Sequence, residues 1–320
     1  MKILLVRFSS IGDLVLTSPI IRCLKQQLAN AEIHYLTKNI FKDIGSANPY
    51  LTKVYGIDTE VFELKNELIS EQYDLMIDLH DSIRSHQVAS LLKCKTFRYN
   101  KQRFKRFMLI QFKINWLNNH IVDRYFSAVE KLNVINDGKG LDYFIRETDE
   151  IGFAQLPFTH IAGFGVLVIG AKHYTKQIPF EKLQEICQKT SIPLILIGGM
   201  EDAYKGAQLE AIDKYKLYNA CGNYSINQSA SVIRKAKFVI TPDTGMMHIA
   251  AALNKRIISI FGGTEKRLGF APYQNNAQSA MIENTTIKCR PCHKHGLDDC
   301  PKNHFRCMLD LDMQKVIDII

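Results

Sequence analysis

Two series of alternating apolar and amphipathic stretches constrain what this chain can fold into. In the first, the apolar runs KILLVRF, EIHYLT, KVYGID and YDLMIDLH are separated by helical patterns over 14–28, 39–47 and 59–70. A loop-like stretch, 146–165, interrupts the alternation. The second series then runs VLVIGA, PFEKLQEICQKT, PLILIGG, a helix near 203–213, SINQSASVIRKA, KFVIT, a helix after Asp243-Thr244-Gly245, and RIISIFG. A strand that is apolar at every position is covered on both faces, the signature of a parallel sheet between helices. The central break favours two doubly wound α/β domains over one closed eight-fold barrel, which periodicity alone leaves open. The predicted domains are 1–150 and 160–310, followed by a C-terminal helix over 311–320.

The chain has 320 residues, 46% of them apolar, which is enough for two ordinary cores. It has no run of 18 apolar residues, so no membrane span is expected. The opening MKILLVRFSSIGD reads as a strand rather than a signal peptide, which predicts a cytoplasmic protein. The net charge is +9, and residues 93–124 alone hold nine Lys or Arg against one Asp. That segment is either a solvated basic helix or a patch for phosphate-bearing partners. Phe104, Phe107, Met108 and Phe112 fall at helical spacing within it and are expected to form its core face. No nucleic-acid-binding motif accompanies the charge, so no nucleic acid is expected as partner.

In open α/β sheets ligands bind at the carboxyl ends of strands. The loop after the first strand, FSSIGDLVLTSP, has one glycine rather than three, which argues against a nicotinamide dinucleotide. Its Asp13, beside Ser9, Ser10 and Gly12, is an ordinary helix-start residue or a carboxylate able to accept a proton. In TPDTGMMHIAAAL (241–253) a strand hands over to a helix whose first N–H groups, at Thr244, Gly245 and Met246, are free to bind phosphate. Gly245 lets a ligand approach the backbone, and His248 offers a further donor. GAKHYTKQIP presents His173 and Lys176, the latter able to neutralise a departing diphosphate, and IGGMED presents Glu201 and Asp202 for ribose hydroxyls.

Together, RFSSIGDLVLTSPIIRCLK, GGMED and TPDTGMMHIAAALNKRIISIFGGTE resemble the glycosyltransferase family 9 heptosyltransferases of lipopolysaccharide core assembly. The resemblance implies the GT-B architecture, two Rossmann-like domains facing across a cleft, with acceptor on the N-terminal domain and nucleotide-sugar on the C-terminal one. It implies ADP-heptose as donor and a phosphorylated, lipid-linked acceptor, Kdo-lipid A or a heptosylated core, with peripheral contact at the inner membrane. By the same resemblance Asp13 matches the catalytic base and Lys176 the donor-phosphate lysine. Glu201 falls at a ribose contact, and Asp243, Thr244, Gly245, Met246 and His248 match the donor loop. Ser10, Gly12, Arg103, Lys105 and Arg106 are expected on the acceptor side. The implied mechanism is a single inverting displacement that requires no cofactor or divalent ion. The family's lysine is often followed by Trp-Pro, whereas Ile178 precedes Pro179 here. Two alternatives are therefore carried: another nucleotide-sugar or acceptor, and a non-catalytic nucleotide-binding relative.

Four of the eight cysteines cluster as Cys289-x2-Cys292-x7-Cys300-x6-Cys307. One CxxC with an irregular second half is compatible with a structural zinc site, with reduced thiols, or with disulfides, the last disfavoured in a reducing cytoplasm. His293, His295 and His304 are rival ligands.

Overall fold

The computed structural model describes residues 1–274 and 276–320, and they form two compact units. The first, 1–101 with 119–144, carries a sheet of β1 (Lys2–Val6), β2 (Glu32–Lys38), β3 (Lys53–Ile57), β4 (Leu75–Asp78) and β5 (Lys95–Arg98). All its strands are parallel, in the order β3-β2-β1-β4-β5. The second unit, 102–118 with 145–320, carries β6 (Gly165–Val168), β7 (Leu194–Ile197), β8 (Leu217–Asn219), β9 (Phe238–Pro242), β10 (Arg256–Phe261) and β11 (Ala280–Glu283). These too are parallel, in the order β11-β10-β9-β6-β7-β8. Two separate open sheets replace the barrel alternative. In each, the chain reverses its direction of winding after three strands, so β1 lies beside β4 and β6 beside β9.

The central strands are buried along nearly their whole length because helices cover both faces, which is why their sequences are unbroken apolar runs. The predicted helix over 14–28 divides into Ile11–Val15 and Ser18–Gln27, with Pro19 tolerated in the first turn of the second piece. Buried Arg22, on that piece, grips Asp137 through two 2.8 Å bonds and also pairs with Asp142, tying the segment 137–142 to the first unit.

The boundaries differ from those expected. Residues 102–118 pack with the second unit, where Leu109, Leu117 and Leu268 share a small buried cluster. The segment from 145 also belongs there: Ile151 N donates to Ser231 at 2.9 Å, and Asn227 donates to Asp149 at 3.1 Å. At the C-terminus the helix is only Gln314–Ile317, and Met313 and Val316 are buried in the second unit's core.

Candidate functional site

In the first unit, β1 ends in a loop that enters the helix Ile11–Val15 at Ser10. Asp13 sits in the first turn and closes a capping box: its Oδ2 accepts from Ser10 N at 3.1 Å and from Ser10 Oγ at 2.9 Å. Its other oxygen, Oδ1, meets the Arg7 guanidinium at 2.8 Å and accepts from the Tyr125 hydroxyl at 3.3 Å. Asp13 thus serves as helix cap and as ion-pair partner together. The Arg7 side chain is 8% exposed and that of Asp13 12%, so the pair is only slightly screened by water. Arg7 also donates to Ser9 O at 2.8 Å and to Leu79 O at 2.5 Å, which links the carboxyl ends of β1 and β4. Burial works against the Arg7 charge, but Asp13, together with Tyr125 and Tyr99, outweighs it and raises the guanidinium above its ordinary value.

His80, after β4, packs edge-on against Phe8 with ring centroids 5.3 Å apart. Its Nδ1 is buried without a hydrogen-bond partner among the described residues. Burial first, then the charges of Arg7 and Lys101, push its imidazole down to about 4. Ser10 is exposed, whereas Gly12 is buried inside the turn and offers no acceptor surface.

The second unit repeats the plan at the β6–β9 junction. Lys176 ends a short 3-10 turn after β6, and its Nζ lies 2.8 Å from Asp243 Oδ2 at the end of β9. Thr264, after β10, donates to the same oxygen at 2.7 Å. Burial pushes the Asp243 carboxyl up, but Lys176 and Thr264 outweigh it and hold the group below the usual carboxylate range. Asp243 was expected to contact the donor. Its carboxylate is engaged by Lys176 and Thr264.

Beyond Asp243, Thr244 is the extended N-cap of the helix Gly245–Ala252 and makes no side-chain cap. Thr244, Gly245 and Met246 are partly exposed, and no N-cap side chain closes this first turn. His248 is buried one turn on. Glu201 is exposed on the turn after β7, while neighbouring Asp202 is buried and bonded to Gly199 N at 3.1 Å and Lys205 at 3.2 Å. His173 pairs with Asp298 at 2.9 Å.

Arg103, Lys105 and Arg106 lie on the helix Arg103–Phe112, in the second unit rather than the acceptor domain expected for them. Burial, then the charges of Arg106 and Arg103, hold the nearby Lys294 amine below its usual value. The aromatic residues are not a core face. Phe104 is 66% exposed, Phe107 51% and Phe112 61%, joined by Trp116 at 49%. Only Leu109 of the helix is fully buried, because the helix rests on its neighbour along a single line.

All eight cysteines are free thiols. Cys289 Sγ stands 3.8 Å from His304 Nε2, and Cys300 Sγ accepts from Phe305 N at 3.4 Å. Burial pushes the Cys292 thiol up to about 12, with the sulfurs of Cys289, Cys307 and Cys300 adding to the rise. Burial also raises Cys300, but backbone N–H groups from Lys302 to Phe305 hold it below its ordinary value. The Asp-x-Asp pair in the sequence, Asp310-Leu311-Asp312, has both carboxylates engaged, by Arg306 at 2.7 Å and by Gln314 N at 2.9 Å. Arg7, Tyr125 and His80 were not singled out from sequence. An arginine ending an apolar run reads as a strand terminus, and Tyr125 reaches Asp13 from 112 positions away.

Residues 61–297 match the model of glycosyltransferase family 9 (heptosyltransferase). Lipooligosaccharide heptosyltransferase 2 of Campylobacter jejuni is 22% identical over 99% of this chain and 97% of that protein. The structure of Escherichia coli ADP-heptose lps heptosyltransferase II superposes with a TM-score of 0.72 at 19% identity, covering 99% of this chain and 100% of that one. The E. coli heptosyltransferase WaaC with ADP gives a TM-score of 0.69 at 20% identity, with both chains fully covered. No helix among the described residues is long and apolar enough to cross a membrane.

Proposed function

Because this chain belongs to glycosyltransferase family 9, the heptosyltransferases, we propose that it moves a heptose from ADP-heptose to a lipopolysaccharide inner-core acceptor, Kdo-lipid A or a heptosylated core. The observation that carries this reading is the Lys176–Asp243 pair beside the uncapped helix at Gly245, where β6 and β9 adjoin. The N–H groups of Gly245 and Met246 take the diphosphate, and the Lys176 ammonium meets the charge that develops on it. Asp243 positions Lys176 rather than touching the donor, and Glu201 is available to the ribose.

In the first unit Asp13 accepts the proton of the acceptor hydroxyl. The acceptor oxygen forms its bond to the anomeric carbon from the face opposite the diphosphate. The bond from that carbon to the diphosphate breaks, and its electron pair leaves on ADP. This inverts the anomeric centre. Arg7 and Tyr125 orient the Asp13 carboxylate. The protein's own cations and N–H groups carry the phosphate charge, without a divalent ion.

The acceptor is amphiphilic and anionic, and the helix Arg103–Phe112 suits it: exposed Phe104, Phe107, Phe112 and Trp116 lie among basic residues and no acidic ones. The cytoplasmic leaflet is the surface it meets. Thermal-shift titration with nucleoside diphosphates tests the donor assignment, because a ligand of the folded state stabilises it by mass action. ADP should raise the melting temperature more than UDP, GDP or CDP. A larger rise with another nucleotide would contradict ADP-heptose, and no rise with any nucleotide would favour a chain without a donor site.

A further inference from the structure

The two oxygens of the Asp13 carboxylate already have four donors. Oδ1 takes the Arg7 guanidinium at 2.8 Å and the Tyr125 hydroxyl at 3.3 Å. Oδ2 takes Ser10 N at 3.1 Å and Ser10 Oγ at 2.9 Å. An ionised carboxylate has about four lone-pair sites, so this one is fully engaged before a substrate arrives. The donors on Oδ1 are also held in place. Arg7 donates to the carbonyls of Ser9 at 2.8 Å and Leu79 at 2.5 Å, and the Tyr125 ring stands edge-on to Tyr99 with centroids 4.9 Å apart. An acceptor hydroxyl that bonded Asp13 directly would have to displace one of these four donors.

The donors differ in what they can do with a proton. A guanidinium and a backbone N–H have no lone pair with which to take one. The Tyr125 hydroxyl has lone pairs, but Tyr125 is fully buried and out of reach of a sugar. Ser10 is exposed, and its hydroxyl donates to Oδ2 while keeping lone pairs of its own. Of these four donors, Ser10 Oγ is therefore the one that faces solvent and can hand on a proton as it receives one. A helix cap needs only an acceptor at this position, so the hydrogen bond that Ser10 donates to Asp13 goes beyond that role.

We propose that Ser10 is a catalytic residue whose hydroxyl relays the acceptor's proton to Asp13, an inference that rests on the reading of Asp13 as the base. The acceptor hydroxyl bonds Ser10 Oγ at about 2.7 Å. As its oxygen forms the bond to the anomeric carbon, its proton passes to Ser10 Oγ, and the Ser10 proton passes to Asp13 Oδ2. The bond from the anomeric carbon to the diphosphate breaks, and its electron pair leaves on ADP. Ser10 ends the step as a neutral hydroxyl and Asp13 as a carboxylic acid. Because the two protons move together, no free serine alkoxide forms. Arg7 and Tyr125 serve the relay by occupying Oδ1, which leaves Oδ2 turned to Ser10.

Single-turnover transfer from ADP-heptose to Kdo-lipid A or its heptosylated product, run in mixtures of H2O and D2O, tests the relay. Two protons in flight make the wild-type rate fall along a curve as deuterium rises, bowed below the straight line that one proton gives. Ser10→Ala should be slower by about 10- to 100-fold and follow the straight line, with the ADP-induced rise in melting temperature unchanged. Ser10→Thr keeps a hydroxyl and should stay within about threefold of the wild-type rate, with the curve retained. A straight line for the wild type would overturn the relay, and so would a Ser10→Ala rate equal to that of the wild type. Should Ser10→Ala fail to fold, the wild-type curve and Ser10→Thr decide. Asp13→Asn separates the relay from the reading beneath it. Loss of transfer in Asp13→Asn with none in Ser10→Ala removes the relay alone, whereas a wild-type rate in Asp13→Asn removes the base and the relay together.

Discussion

At the scale of single residues, Asp13 illustrates how one carboxylate holds two roles. As the third residue of a short helix it caps Ser10, and as the partner of Arg7 it sits 2.8 Å from a buried guanidinium. Asp13→Asn keeps the shape and much of the capping but removes the proposed proton acceptor. Transfer should fall by a factor on the order of 10² to 10⁴, while ADP still raises the melting temperature as it does in the wild type. Equal loss of turnover and of nucleotide binding would show that the carboxylate is structural. His80 gives a pH prediction. Its imidazole is pushed from 6.5 down to about 4, so the unfolded chain binds a proton there that the folded chain refuses. The stability this contributes is complete above pH 6.5 and is lost as the pH falls through about 4, with a magnitude on the order of 2 kcal/mol given partial exposure. His80→Asn should therefore lose less stability than the wild type between pH 7 and pH 4 in denaturant titrations. Parallel losses in the two proteins would remove His80 from the account.

At the scale of elements, the helix Gly245–Ala252, to which the proposed donor site is assigned, was legible in sequence from its strand-to-helix junction. At neighbouring Asp243 the sequence shows a carboxylate in the loop but not that Lys176 and Thr264 converge on it. Thr244 is extended, at φ −137° and ψ 175°, which is the conformation a following proline accepts. Gly245→Pro should therefore keep the helix while deleting one N–H donor, and weaken ADP by about 10- to 100-fold in calorimetric titration. Unchanged affinity would move the phosphate elsewhere. The helix Arg103–Phe112 was misread: its spacing of aromatics reads as a core stripe, yet only Leu109 is fully buried. Replacing Arg103, Lys105 and Arg106 with Glu should weaken binding to anionic vesicles and raise the acceptor KM. The wild-type interaction should fade with added salt, since screening over about 8 Å at physiological ionic strength acts on exposed charge. A folded triple variant with normal vesicle binding and acceptor kinetics would leave the segment as a solvated helix.

At the scale of the whole molecule, the two parallel sheets were legible because their central strands are apolar at successive positions. Of the edge strands β3 was legible as KVYGID, but the other three were not: β5 (KTFR) and β11 (AMIE) are half-exposed, and β8 is only three residues, so no unbroken apolar run marks them. The unit boundary escaped for a different reason. Residues 102–118 return to the second unit through the side chains of Leu109 and Leu117, a long-range contact without a local pattern. The loops after β1, β6 and β9 could be picked out without the strand order, because they follow the carboxyl ends of strands, whereas the meeting of the β1 and β4 ends could not. The central claim is that this chain transfers heptose with release of ADP, and mass spectrometry of the acceptor tests it most directly. The purified protein is incubated with ADP-heptose and either Kdo-lipid A or its heptosylated product. The account predicts that one of these acceptors gains a single heptose, with ADP released in equal amount, and that Asp13→Asn abolishes most of this gain. Unmodified acceptors alongside intact ADP-heptose, or sugar transfer from a different nucleotide-sugar, would contradict it.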